Sequence, residues 1–172
     1  MKTSLFVFSF LIFFSIQKEV VKQELNNLHK VDYLIKKTNR KQMKESFKLV
    51  ENFPVKPSVI YRAWLDSDEH TAMTGSSAKC SNKLGETFSA WNNYITGKNI
   101  SLVVNKKIVQ NWRTTDFKDT DEDSELIILL EETNNGCELT LIHKNIPAGL
   151  TAYKKGWVNQ YFIPMKNYFK TK

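Results

Sequence analysis

LTAYKKGWVNQYFIPMKNYF, residues 150–169, decides the fold of this chain. Leu150, Tyr153, Trp157, Tyr161, Met165, Tyr168 and Phe169 recur at steps of mostly three and four, the spacing of one helix face. A lone helix cannot hide so aromatic a face, because burial needs a second apolar layer. Pro164 falls inside the run and lacks the N–H that would close the ladder, so a kink or break is expected over 160–163. The residues before 150 should supply the layer on which this helix lies.

They read as a sheet. From Ser76 the period switches to two, with strands predicted over 87–92, 94–104, 108–117, 126–132 and 138–144. Gly85, the pair Asn105 and Lys106, and the acidic stretch Asp119, Asp121, Glu122 and Asp123 mark the turns. Asn134, Asn135 and Gly136 form the clearest hairpin signal. Further back, Ser46–Phe53 alternates and stops at Pro54. Pro57 suits the first turn of a helix carrying Val59, Ile60, Ala63 and Trp64 to about Leu65. Asp66 or Ser67 can cap a second short helix that ends at Gly75. Strands and helices are segregated, which makes the class α+β: a helix grip, with a curved antiparallel sheet of six or seven strands wrapped on the long C-terminal helix and two short helices after the first strand. Such a grip leaves a cavity wherever helix and sheet side chains are too short to meet.

Composition agrees with one good core. The chain has 172 residues, of which 41% are hydrophobic and 25% charged, excluding wholesale disorder and a multi-span membrane protein. Its two cysteines, Cys80 and Cys137, are too few for a disulfide scaffold and are expected as thiols. The net charge of +7 is unevenly spread. Residues 1–43 hold eight Lys/Arg and three Asp/Glu, whereas residues 44–172 hold seventeen and fifteen. A stripe that tracks phosphates should sit on the folded domain, so nucleic acid is not an expected partner.

Three segments follow. Residues 1–16 form an apolar leader, short for a membrane span and close to a secretory core, though without a good cleavage site; a signal-like segment and an uncleaved anchor stay as alternatives. Residues 17–43 form a basic helical connector with Val20, Val21, Leu25, Leu28 and Val31 on one stripe. Its readings are a solvated connector, a membrane-surface or partner-binding helix, and an upstream extension absent from a protein whose translation starts near Met43. Residues 44–172 form the helix-grip domain. The location is cytoplasmic with the later start, and otherwise secreted or membrane-anchored through the leader, the one route to a membrane.

The stretch from Glu45 to Phe169 resembles the domain of activators of the 90 kDa heat-shock protein ATPase, within the START-like and birch-pollen-allergen-like superfamily. Ser46–Phe53 with Val59, Tyr61, Arg62, Ala63 and Trp64 is similar to its opening strand and helix. Gly85, Glu86, Thr87 and Phe88 resemble its G-G-x-F turn, with Glu86 in place of the second glycine. Ile95 to Lys98 resemble its strand break at glycine. Ile108, Val109, Gln110, Asn111, Trp112 and Arg113 match its I-V-x-x-W-R strand, and Leu139 to His143, Ile146, Pro147, Gly156 and Trp157 its ending. The ending looks most like the C-terminal domain of the eukaryotic activators. Those activators carry a separate N-terminal domain that makes much of the chaperone contact, and residues 1–42 are too short to supply it. The resemblance implies a non-enzymatic binding module, a co-chaperone or stress-related protein, with a 90 kDa heat-shock chaperone as partner. The alternative is a carrier or sensor of an apolar small molecule held in the grip.

Few residues suggest chemistry. The three histidines fall at no metal-ligand spacing on one helix, and there is no H-E-x-x-H, C-x-x-C or G-x-x-x-x-G-K, so no metal or cofactor is expected. The acidic cluster Asp116–Glu125 lacks the glycine and terminal glutamate of a calcium loop and reads as a solvated hairpin. Trp64, Phe88, Trp91, Trp112 and Trp157 either fill the core or cage a ligand. Leu141 and Met165 are further cavity candidates. His143 shares the strand parity of Leu139 and Leu141; it is expected as a hydrogen-bonded structural residue or a ligand contact, and it is the one candidate acid or base. Arg113 is expected to pair with Glu86 or Glu131, or else to hold an anionic head group.

Overall fold

The computed structural model describes residues 18–36, 44–170 and 172, and the chain divides into two units, Met1–Met43 and Lys44–Lys172. In the first, residues 18–36 form helix α1. Its Val20, Val21, Leu25, Leu28 and Val31 are all exposed. No helix among the described residues is long and apolar enough to cross a membrane. The apolar leader 1–16 and the start at Met43 lie outside the described residues.

The second unit opens with β1 (Glu45–Phe53). Its odd-numbered residues turn inward and its even ones outward, as the alternation requires. Pro57 then starts α2 (Pro57–Leu65). Asp66 caps α3 (Ser67–Thr74), its carboxylate accepting the backbone N–H groups of Asp68 and Glu69 at 3.0 and 2.9 Å. Gly75 closes α3 at φ 76°, a left-handed position that glycine takes without steric cost. This elbow carries the chain from one edge of the sheet to the other.

The chain then runs back as a meander: β2 (Ala78–Lys79), β3 (Thr87–Ala90), β4 (Ile95–Val103), β5 (Lys107–Thr114), β6 (Ser124–Thr133) and β7 (Gly136–Ile146). Seven strands form one curved antiparallel sheet in the order β1-β7-β6-β5-β4-β3-β2. Most strand ends fall within two residues of the sequence reading, and three departures have a clear physical cause. β3 ends before Trp91, because Trp91, Asn92 and Asn93 all take positive φ and turn the chain. β5 ends at Thr114 rather than Phe117, since Phe117 N–H closes a turn onto the Thr114 carbonyl. The β6–β7 turn is Asn134-Asn135 rather than Asn-Gly, and Gly136 opens β7 at φ 141°. A Cβ at Gly136 would stand 2.1 Å from the Phe53 carbonyl oxygen, so the glycine serves the β1 contact.

One face of the sheet makes the core. Leu49, Leu141, Ile128 and Ile108 sit in one cross-strand row on β1, β7, β6 and β5. Against this face lies the C-terminal helix: α4 (Tyr153–Trp157), a π-helical turn (Val158–Phe162) and α5 (Ile163–Phe169). Phe162 and Phe169 meet Phe53 of β1 edge-on at 6.1 and 5.9 Å. Lys166 pairs with Glu51 of β1 at 2.7 Å.

The expected break takes the form of the π turn, in which Ile163 N–H donates to the Val158 carbonyl. The wider turn precedes Pro164 and eases the clash its ring would make with a preceding carbonyl. It also corrects a phase error. Tyr153, Trp157, Tyr161, Met165 and Phe169 are all buried and all four apart. At 3.6 residues per turn, four such steps would drift by roughly 160° around a regular helix. One extra residue in the turn returns Met165 and Phe169 to the sheet.

Candidate functional site

The helix leaves a gap at its N-terminal end. Trp91, Trp112, Trp157 and Tyr161 line a cleft of about 440 Å³, together with Ile95 and Leu150. Each aromatic comes from a different place: Trp91 from the turn after β3, Trp112 from β5, Trp157 from α4 and Tyr161 from the π turn. Their rings touch in sequence, Trp112 to Trp157 at 5.8 Å, Trp157 to Tyr161 at 4.5 Å and Trp91 to Tyr161 at 6.3 Å. Such offset and edge contacts suit aromatic quadrupoles and make the surface stiff.

The rim is polar. Tyr94 donates its hydroxyl to Asp116 Oδ2 at 2.6 Å, and beneath this rim the buried Thr114 and Tyr153 hydroxyls bond at 2.6 Å. Burial, with the nearby Asp116 charge, pushes the Tyr94 phenol up. Tyr94 and Asp116 are exposed, whereas Trp112, Trp157 and Tyr161 are buried.

Behind the cleft, polar groups are closed off. Trp157 Nε1–H donates to His143 Nδ1 at 3.1 Å. The Ser124 hydroxyl donates to the Trp112 carbonyl at 2.6 Å, because a carbonyl only accepts. His143 must then donate from Nε2 to Ser124 Oγ across 2.8 Å. This relay fixes one neutral tautomer, and burial drives the His143 pKa down to about 3. A second chain runs from Trp64 Nε1–H to Gln110 at 3.2 Å and from Gln110 to Asn99 at 2.8 Å. Asn99 ends it by donating to the Ser81 and Lys83 carbonyls at 2.7 and 3.1 Å.

The structure thus divides the nine sequence candidates. Trp91, Trp112 and Trp157 line the cleft. Trp64 lies behind it, stacked on Trp157 at 6.1 Å. His143 is fully buried behind Trp112, their rings 4.6 Å apart. Leu141 and Met165 are core residues with no exposure and do not line the cleft. Phe88 lies over Gly97, where a Cβ would come within 2.6 Å of its ring. Arg113 pairs with Asp123 at 2.9 Å and the Lys118 carbonyl at 3.2 Å, not with Glu86 or Glu131. Trp112 pairs with Ser124 across β5 and β6, which brings the adjacent Asp123 beside Arg113. Within the acidic stretch, Asp121 accepts the Lys118 N–H at 2.9 Å and Glu122 pairs with Lys44.

Sequence reasoning missed Tyr94, Asp116, Tyr153 and Tyr161 as lining residues. Tyr153 and Tyr161 were already on the apolar helix stripe with Trp157. Nothing in the local sequence of Tyr94 or Asp116 signals their meeting.

A curved sheet gripping a C-terminal helix over an aromatic cleft is the helix-grip class. The chain belongs to the family described as activator of Hsp90 ATPase homolog 1-like protein, whose model matches residues 54–170. An HSP90 activator from Plasmodium falciparum is 28% identical, with a TM-score of 0.62 over 69% of this chain and 90% of that one. The Aha1 dimer from Colwellia psychrerythraea shares the fold at 16% identity, with a TM-score of 0.62 over 73% of this chain and 96% of that one. An uncharacterized protein from Schizosaccharomyces pombe is 26% identical over 118 residues, which are 68% of this chain and 35% of that relative. The match therefore spans about a third of the relative's length.

Proposed function

We infer that this chain works by recognition rather than bond-making, as a module that binds a 90 kDa heat-shock chaperone. The observation that carries this reading is the likeness to the Plasmodium falciparum HSP90 activator across most of the solved chain. The state of the interior supports it from another direction. His143 is held neutral with both ring nitrogens engaged, so it has no free lone pair to offer as a base and its bound proton is already committed. Cys80 and Cys137 are free thiols pushed up to about 12 and about 11 by burial, unsuited to nucleophilic work. A chaperone partner fits a cytosolic location and translation from near Met43, which the N-terminal peptide of the native protein would test.

Titration of the full chain into purified 90 kDa chaperone, with ATP turnover followed in parallel, tests the main reading. Saturable binding is expected. Absence of binding into the tens of micromolar, with an unchanged rate, would remove it.

A second reading rests on the cleft. Its volume of about 440 Å³ exceeds the roughly 300 Å³ at which small-molecule pockets begin, so it has room for an organic ligand on its aromatic wall. Native mass spectrometry of the chain from its own cells should then show a retained small molecule. Carriage of a ligand and chaperone contact are compatible, since the cleft residues Trp91, Trp112 and Trp157 occupy one end of the grip only.

A further inference from the structure

We propose that the cleft selects a cationic ligand, an organic ammonium group seated on the aromatic wall with its charge toward Asp116. The proposal rests on the reading of the cleft as a small-molecule site and adds the ligand's chemical class.

Two features of the lining carry it. Among the described residues that line the cleft, Asp116 alone carries a charge, and that charge is negative. No lysine or arginine among the described residues lies within ion-pair distance of Asp116, although Arg113 and Lys118 are close in sequence. Arg113 is turned to Asp123 instead. Asp116 Oδ2 accepts the Tyr94 hydroxyl at 2.6 Å, which fixes the carboxylate and leaves Oδ1 for a ligand.

The second feature is the wall itself. Trp91 and Tyr94 are the accessible aromatics of the lining, an indole being the ring whose face attracts cations most strongly, and the buried Trp112, Trp157, Tyr153 and Tyr161 back them. An apolar ligand would need only Leu- or Phe-type lining. Two accessible aromatic rings beside a carboxylate with no cationic partner favour a positive group over a neutral one of equal shape, because both the ring quadrupoles and Asp116 act on its charge. An anionic ligand would meet repulsion from the same groups.

Benzyltrimethylammonium and its uncharged isostere neopentylbenzene are the probes, titrated into the full chain. Tryptophan fluorescence and the indole N–H resonances of Trp91, Trp112 and Trp157 give the readout. The cation is expected to bind at least fivefold more tightly than the isostere, and added salt should weaken it. Asp116→Asn, at an exposed position, should abolish most of that preference by weakening the cation. Equal binding of the two probes, or a preference that survives D116N, overturns the proposal and leaves the small-molecule reading standing. Binding of neither probe, with no shift of the three indoles, overturns both.

Discussion

Trp157 and His143 are joined by a hydrogen bond of 3.1 Å from the indole N–H to Nδ1, linking the helix to β7 at the back of the cleft. The bond orients the Trp157 ring that lines the cleft and, through Ser124, anchors the backbone of Trp112 that lines it too. Two of the three cleft indoles are thus positioned by one buried imidazole.

That imidazole makes stability depend on acid. Its pKa in the fold is about 3 against an ordinary 6.5, and burial lowers His70 in the same direction. The unfolded chain therefore binds more protons below about pH 6.5, so the fold is at full strength above that value and weakens as pH falls toward 3. The slope from His143 should approach roughly 1.4 kcal/mol per pH unit, with His70 acting in the same direction. Urea midpoints near neutrality and at about pH 5 measure it. A His143→Phe variant should show a flatter slope; an unchanged slope would deny His143 its part.

Trp157→Phe removes the donor, orphans Nδ1 and leaves part of the indole volume empty. A loss of about 2–4 kcal/mol is expected from the buried lone pair and the cavity together. Chemical denaturation reads it, and a loss below about 0.5 kcal/mol would show that the bond and the packing matter little.

Two glycines should respond in opposite directions. A Cβ at Gly97 would stand 2.0 Å from the Asn111 carbonyl and 2.6 Å from the Phe88 ring, so Gly97→Ala should cost at least about 2 kcal/mol. Gly156 sits in α4 with nothing within 4 Å of a Cβ, so Gly156→Ala should gain about 0.5–1 kcal/mol from helix propensity. Because Gly156 lines the cleft, that methyl also narrows it. Thermal midpoints of the pair give the comparison.

Cys80 and Cys137 should resist modification in the native protein. With pKa values near 12 and 11, almost none of either is thiolate at neutral pH. A thiol-reactive dye is expected to label both quickly in urea and neither quickly without it; fast native labelling would contradict the burial described.

Much of the fold was legible because its signals are local. Pro57, Asp66 and Gly75 mark the elbow, and alternation marks β4 to β7. The two-residue β2 is too short for any period, and the end of β3 depends on three consecutive positive φ values that Trp91 itself does not advertise. Pro164 signalled where the helix departs from regularity but not that an extra residue would keep it continuous. The site was legible only in part. Trp112 inward implies Arg113 outward by strand parity, so Arg113 need not have been grouped with the cavity. Asp116 and Tyr94 meet through the turn after β5, a relation that no spacing encodes.

The pairing of β1 with β7 has a consequence for synthesis. Glu45 and Ile146 are partners although about a hundred residues separate them, and among the described residues β1 has no other strand neighbour. On the ribosome, Phe47, Leu49 and Phe53 emerge early and must wait, uncovered, until the last strand and the helix after it have been made. The final closure is a long-range one, slow by its topology, and the nascent chain is most exposed to mispairing and to chaperone capture during that delay.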